Sequence, residues 1–129
     1  MKYHLNTKSQ FEQEAPILSG NKIIFPIKNK EIILSKNQAK LINCLLNKTN
    51  EKSDIINFIW GEGIYKSKNN SYNQLIHQTR ALFTDEGFSP DFIMTIPRYG
   101  VCLNKNKLMA NNPKKYRTAN MLNDHATCI

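Results

Sequence analysis

A polar stripe in the middle of the chain carries side chains suited to binding nucleic acid. Within residues 70–84, one side of a helix would present amides, an imidazole and a guanidinium, in Asn73, Gln74, His77, Gln78 and Arg80. Helix surfaces turned to water usually mix Glu with Lys, but this surface holds no acid. Amides and guanidinium groups hydrogen-bond well to base edges and phosphates. The stripe therefore favours contact with a nucleic acid.

An apolar stripe on the same segment predicts the helix that presents these groups. With about 100° between residues, one face is formed by Tyr72, Leu75, Ile76, Thr79, Leu82 and Phe83. Ser71 and Gln74, three residues apart, predict a capping box at the helix start, and Gly87 is placed to end the helix.

A β-hairpin is predicted directly after this helix. Residues 92–96 are β-prone, residues 97–100 form a turn, and residues 101–103 return. Arg98 and Tyr99 would lie at the turn, where Gly100 permits a tight reversal. A helix followed by a hairpin with Arg near its tip predicts the DNA-contacting half of a winged helix.

This stretch resembles the winged-helix DNA-binding domain of OmpR/PhoB type, most closely its ToxR/CadC-like branch. There the recognition helix tends to have the sequence S-L-x-Q-x-I-x-x-L-R, and the wing I-x-T-V-P-x-x-G-Y-x-L. The matching positions here are Ser71, Tyr72, Gln74, Ile76, Thr79, Arg80, Ile93, Thr95, Ile96, Pro97, Gly100 and Leu103. Thr79 stands where the family usually has Leu, and Val101 where it usually has an aromatic residue.

The first half of the chain predicts a small sheet followed by two helices. Three β-prone pieces, 17–18, 22–27 and 31–34, are separated by turn residues, and Pro26 moves the middle piece toward a sheet edge or a bulge. Ser35 and Gln38 predict a capping box for a helix that runs to about residue 47. Asn50 or Ser53 would cap the next helix, whose predicted buried residues are Ile55, Ile56, Phe58, Ile59 and Trp60.

These elements predict an α+β fold: a winged helix with an N-terminal antiparallel β-sheet, a three-helix core and a C-terminal β-hairpin wing. The resemblance implies the same sheet. The domain is expected at 15–104, between a flexible N-terminal segment at 1–14 and a basic flexible tail at 105–129.

The charge distribution favours double-stranded DNA as the partner. The chain has a formal net charge of +8, and no acid occurs at 63–84 or at 92–123. A basic excess of this kind favours a polyanion. We expect the helix to enter the major groove and the wing to approach the adjacent backbone or minor groove. We expect Asn73, Gln74, His77 and Gln78 to contact base edges. We expect Lys66, Lys68, Arg80 and Arg98 to contact phosphates, and Ser71 and Tyr99 to make further contacts with DNA.

The sequence leaves two alternatives to DNA binding: a protein-interaction module and an enzyme. A winged helix poor in Arg would also suit an interaction module that docks RNA polymerase or a co-regulator through the loop at 61–70, and a dimer or tandem arrangement on DNA stays open. Catalysis is not expected, because the three His are isolated at positions 4, 77 and 125 and no phosphate-binding glycine motif is present. No cofactor is predicted.

The cysteines and the hydropathy predict a reducing, cytoplasmic setting. Cys44, Cys102 and Cys128 are widely spaced, which indicates neither a disulfide framework nor a zinc site, so no metal is expected. No apolar run approaches the roughly 18–20 residues that span a bilayer. The chain would be a soluble regulator or the cytoplasmic part of a membrane-anchored one.

Overall fold

The computed structural model describes residues 15–26 and 28–104. The elements are, in chain order, β1 (Ile17–Ser19), β2 (Lys22–Phe25), β3 (Lys30–Ile33), α1 (Lys36–Leu46), α2 (Lys52–Trp60), a 3-10 turn (Lys66–Lys68), α3 (Asn69–Asp85), β4 (Ile93–Ile96) and β5 (Gly100–Leu103). This is an α+β arrangement compatible with the predicted winged helix. The predicted segments at 1–14 and 105–129 lie outside the described residues.

The N-terminal sheet is antiparallel with the strand order β1-β2-β3. Ile23 of β2 lies between Leu18 of β1 and Ile32 of β3 in the register. The prediction that Pro26 would move the middle strand to an edge or a bulge is wrong. Pro26 lies in the turn just after β2, where its missing N–H does not interrupt the ladder, and β2 is the central strand.

An aromatic cluster joins this sheet to the third helix and to the segment before the hairpin. Phe25, Phe83, Phe88 and Phe92 are all nearly inaccessible to solvent. The ring centroids of Phe25 and Phe88 are 4.7 Å apart, and those of Phe83 and Phe92 are 5.4 Å apart. Contacts at these separations stabilise aromatic pairs beyond simple burial. The cluster therefore holds the sheet and α3 together.

The capping box of α1 is confirmed. Ser35 Oγ accepts from the Gln38 backbone N–H at 3.1 Å, and the Ser35 backbone N–H donates to Gln38 Oε1 at 2.8 Å. The capping prediction for α2 is wrong, because its N-cap is Glu51 and the amide of Asn50 instead donates to the carbonyl of Val101 at 3.0 Å.

Three of the five residues of α2 that were predicted to be buried are buried in the structure. Its core face consists of Ile55, Ile56 and Ile59, whereas the side chain of Phe58 is 52% exposed. Phe58 falls outside the arc that these three isoleucines define on a helix with 3.6 residues per turn. Trp60 is partly buried and packs against the edge of the core.

The hairpin is fixed to the first residue of α2 and to the residues just before it. The backbone N–H of Val101 donates to the Asn50 carbonyl at 3.1 Å, and the N–H of Lys52 donates to the Tyr99 carbonyl at 2.8 Å. A Cβ on Gly100 would lie 1.8 Å from the Asn50 carbonyl oxygen. Glycine is thus needed at position 100 so that the two backbones can approach closely. The prediction that Gly100 permits the chain reversal is wrong, because the turn residue with a left-handed backbone is Arg98, with φ of 62°.

The cysteines differ from one another in the structure. Cys44 is free and buried in α1, and burial raises the pKa of its thiol to about 11. Cys102 of β5 is disulfide-bonded, a single bond that the absence of a disulfide framework in the sequence did not indicate. Among the described residues, no group of three or more metal-ligating side chains lies close enough to hold an ion, and no helix is long and apolar enough to cross a membrane.

Candidate nucleic-acid interface

The inner face of α3 is the predicted apolar stripe. Its buried residues are Tyr72, Leu75, Ile76, Thr79 and Phe83, with Leu82 partly buried beside them. The hydroxyl of Thr79 donates to the Leu75 carbonyl at 2.7 Å, so this polar side chain is satisfied inside the core. The apolar stripe is confirmed, and it fixes which side of α3 faces outward.

The helix start differs from the prediction. The helix begins at Asn69, directly after the 3-10 turn, and its N-cap Lys68 is the last residue of that turn and makes no side-chain capping hydrogen bond. Ser71 is therefore a half-buried residue of the first turn, and the predicted capping box with Gln74 is wrong. Gly87, with φ of 95°, follows the helix end as predicted.

The outward face of α3 includes the exposed side chains of the four residues predicted to contact base edges, Asn73, Gln74, His77 and Gln78. They form two rows along the helix because residues three or four apart are neighbours. Asn73 and His77 face the hairpin, whereas Gln74 and Gln78 line a recess of about 240 Å³ that also includes Ser71 and Trp60. The sequence identified this surface but not its division into two rows.

A groove of about 430 Å³ separates α3 from the hairpin. Asn73, His77 and Arg80 line it on the helix side, and Thr95, Arg98 and Tyr99 line it on the hairpin side. Arg98 and Tyr99 are exposed at the hairpin turn. The groove thus brings together five of the predicted site residues from two separate elements.

Arg80 does not lie free on the outward face. Its Nε donates to the Ile93 carbonyl at 2.8 Å, and its Nη2 donates to Thr95 Oγ1 at 2.6 Å. The residue is half-buried, and this burial lowers the pKa of the guanidinium. The side chain is therefore held by β4, which passes within its reach, and the predicted contact of Arg80 with phosphate stays a prediction.

Lys52 is a groove residue that sequence reasoning missed. Its ammonium lies 5.2 Å from the ring centroid of Tyr72 and 5.9 Å from that of Tyr65, and it donates to Asn69 Oδ1. Burial, the largest effect, raises the pKa of Tyr72 to about 12. No local pattern identifies Lys52, since the groove forms only when the start of α2 meets the start of α3.

The remaining predicted cations precede α3. Lys66 and Lys68 lie in the 3-10 turn, where Lys66 is exposed and Lys68 is half-buried. The acid that lines the groove is Glu51, the N-cap residue of α2. The surface formed by α3, the 3-10 turn and the hairpin turn therefore combines hydrogen-bonding groups with several cations.

Comparisons with known proteins point to regulators of transcription. No family model matches the chain. The chain is 27% identical over 75 residues to a "Cholera toxin homolog transcriptional activator" of Vibrio parahaemolyticus, a match that covers 56% of this chain and 26% of that protein. It is 29% identical over 85 residues to a "Cholera toxin transcriptional activator" of Vibrio cholerae, which covers 63% of this chain and 29% of that protein.

The chain spans less than a third of the length of these relatives. Both relatives are named as transcriptional activators, and neither name describes an enzyme. The similarity therefore supports a place for this chain among transcription regulators.

Proposed function

We propose that residues 15–104 form a winged-helix domain that binds double-stranded DNA in a sequence-specific way and regulates transcription. In this proposal, α3 enters the major groove, and the hairpin is the wing that approaches the adjacent backbone or minor groove. One observation carries the proposal: the outward face of α3 presents amides and an imidazole, with no acid before Asp85 at the end of the helix, beside a hairpin turn that carries Arg98.

The size and chemistry of α3 suit this role. A helix with its side chains is about 10–12 Å wide and fits a major groove that is about 12 Å wide. Asn73 and Gln74 can each bind adenine N6 and N7 with two hydrogen bonds, and His77 can donate to or accept from a base. Gln78 and Ser71 extend the same polar surface.

Cations around the helix would supply the contacts to phosphate. Lys66 and Lys68 precede the first turn of α3, and Arg98 is exposed at the hairpin turn. An Arg at such a turn suits a phosphate or a narrow A·T-rich minor groove, whose negative potential attracts it. Tyr99, next to Arg98, is 50% exposed and would contact the DNA backbone.

The similarity to two named transcriptional activators supports the regulatory part of the proposal. A bacterial-type regulator with this role would act in the cytoplasm, where it meets the chromosome. Binding of two copies to DNA, as a dimer or in tandem, stays a prediction.

A salt titration of duplex binding tests the proposal. The full chain is titrated into a fluorescently labelled duplex of mixed sequence at several salt concentrations. The logarithm of the binding constant should fall linearly with the logarithm of the salt concentration. The slope should be about −0.9 for each phosphate neutralised, and roughly four to eight phosphates are expected to be neutralised. The double variant Lys66→Gln/Lys68→Gln should reduce that slope by about two phosphates' worth.

Lys22→Gln is the matched control, because Lys22 lies on the N-terminal sheet and pairs with Glu31. This variant should leave the slope unchanged. Affinity that does not weaken as salt rises would contradict DNA binding.

A protein-interaction module is the second candidate, and two observations favour it. The guanidinium of Arg80 is held by the hairpin, so the outward face of α3 has few cations. Phe58 and Tyr65 are 52% and 39% exposed, as expected for residues that contact a protein. RNA polymerase or a co-regulator would then dock near the loop at 61–70, and Tyr65→Ala would reduce the affinity for that protein partner.

A further inference from the structure

We propose that Arg80 is a positioning residue: its guanidinium fixes the hairpin against α3 and so sets the distance between the base-contacting side chains and the hairpin turn. This inference rests on the proposed DNA-binding function. It assigns to Arg80 a role different from the phosphate contact that the sequence predicts.

The guanidinium spans the junction of two elements. It comes from the last third of α3, and its two acceptors, the Ile93 carbonyl and Thr95 Oγ1, belong to β4 at 2.8 Å and 2.6 Å. Nε and Nη2 lie on one edge of the planar group, so two parallel donors meet two acceptors on one strand. Such a two-point contact restricts direction as well as distance.

The two strands of the hairpin have separate anchors. Arg80 contacts β4, whereas the amide and carbonyl of Asn50 contact Val101 of β5. A hairpin held from both strands cannot rotate about either anchor. The turn with Arg98 is therefore kept at a defined place relative to Asn73 and His77, across the groove that they share.

Arginine is suited to this task in a way that lysine is not. The guanidinium keeps its charge when half-buried and presents its donors in a fixed fork, whereas an ammonium is a single point on a flexible stem. Arg80→Lys would therefore keep the positive charge but lose the two-point contact. This difference separates a positioning role from a phosphate contact, for which lysine is an adequate substitute.

The test uses the full chain with Arg80→Lys and Thr95→Val. Thr95→Val removes one acceptor and leaves the charge of Arg80 intact. In the absence of DNA, amide hydrogen exchange at 93–103 should become about tenfold faster in Arg80→Lys and less so in Thr95→Val, since each hydrogen bond to a charged group contributes to holding the hairpin.

The affinity for a duplex selected by the wild-type chain should fall about tenfold in Arg80→Lys and measurably in Thr95→Val. Thr84→Val is the matched control, because Thr84 is exposed near the end of α3 and lies outside the groove. It should change neither exchange nor affinity. Thermal melts confirm that all three variants are folded.

Two results would overturn the inference. Unchanged hairpin exchange in Arg80→Lys would show that the contact does not hold the hairpin. Full affinity in both Arg80→Lys and Thr95→Val would indicate that Arg80 acts only by its charge. A wild-type chain that binds no duplex would instead overturn the proposed function, and faster exchange in Arg80→Lys would then still support the link between α3 and β4.

Discussion

The N-terminal sheet and the C-terminal hairpin are both small antiparallel units, but different interactions hold them in place. The sheet is attached mainly through apolar side chains, with Ile23, Phe25 and Ile32 facing the core. A partly exposed ion pair at 3.4 Å also joins Lys30 of β3 to Glu86 just after α3, and such a pair contributes little. The outer surface of the sheet has the ion pair between Lys22 and Glu31 at 3.4 Å, which is exposed to solvent. An exposed pair of this kind contributes little.

The hairpin also buries β5, but polar contacts with fixed atoms add to that burial. Asn50 and Arg80 contact opposite strands, and Gly100 allows the backbone to pass close to Asn50. Burial is non-directional, whereas hydrogen bonds depend on angle and distance. The sheet therefore completes the core, whereas the hairpin has a defined orientation relative to α3.

The largest expected effect on stability comes from the aromatic cluster that joins the sheet to α3. Phe83→Ala should lower the free energy of unfolding by about 3–5 kcal/mol, because Phe83 is buried among Phe25, Phe88 and Phe92 and leaves a cavity. Urea denaturation measures the change. Phe58→Ala is the matched control and should cost about 1 kcal/mol or less, since Phe58 is half exposed. Equal losses in the two variants would contradict the assignment of the core.

A somewhat smaller effect is expected at the hairpin anchor. Gly100→Ala should destabilise the protein by about 3 kcal/mol, because the new Cβ would collide with the Asn50 carbonyl and force the backbones apart. Gly20→Ala is the control, since nothing lies within 4 Å of its added Cβ and only the strain of a positive φ remains, about 1–2 kcal/mol. Thermal melts that rank the two variants in the reverse order would weaken the claim of a fixed hairpin.

The next prediction separates the helix from the hairpin turn in DNA binding. Gln74→Ala should cost about 1–3 kcal/mol on a cognate duplex and little on a scrambled one, because a base contact carries sequence information. Arg98→Ala should weaken binding to both duplexes. Anisotropy titrations at one fixed salt concentration measure both variants. Equal losses on the two duplexes for Gln74→Ala, together with no change for Arg98→Ala, would refute this division.

The smallest effect is expected on the outer surface of the sheet. Lys22→Ala should change the free energy of unfolding by less than about 1 kcal/mol, because its ion pair with Glu31 is solvent-exposed. Chemical denaturation at low and high salt provides the measurement. A loss above about 2 kcal/mol would mean that polar contacts hold the sheet as they hold the hairpin.

Elements governed by local patterns could be predicted from the sequence. The apolar stripe of α3 follows from helical periodicity, and the capping box of Ser35 and Gln38 forms between residues three positions apart. The hairpin strands follow from β-prone residues on either side of Pro97, and Gly87 permits the positive φ after α3. Each of these features depends on neighbours along the chain, so the amino-acid sequence by itself determined them, together with the exposed surface of Asn73, Gln74, His77 and Gln78.

The tertiary structure decided which partner each polar side chain has. Asn50 is a good capping residue in isolation, but β5 passes beside it, and its amide bonds to Val101. Arg80 belongs to a polar stripe by periodicity, yet β4 supplies two acceptors and makes it a link between elements. Lys52 joins the groove because α2 and α3 begin side by side. These partners are 13 to 51 residues away along the chain, and only the packing of separate elements brings them within hydrogen-bonding distance.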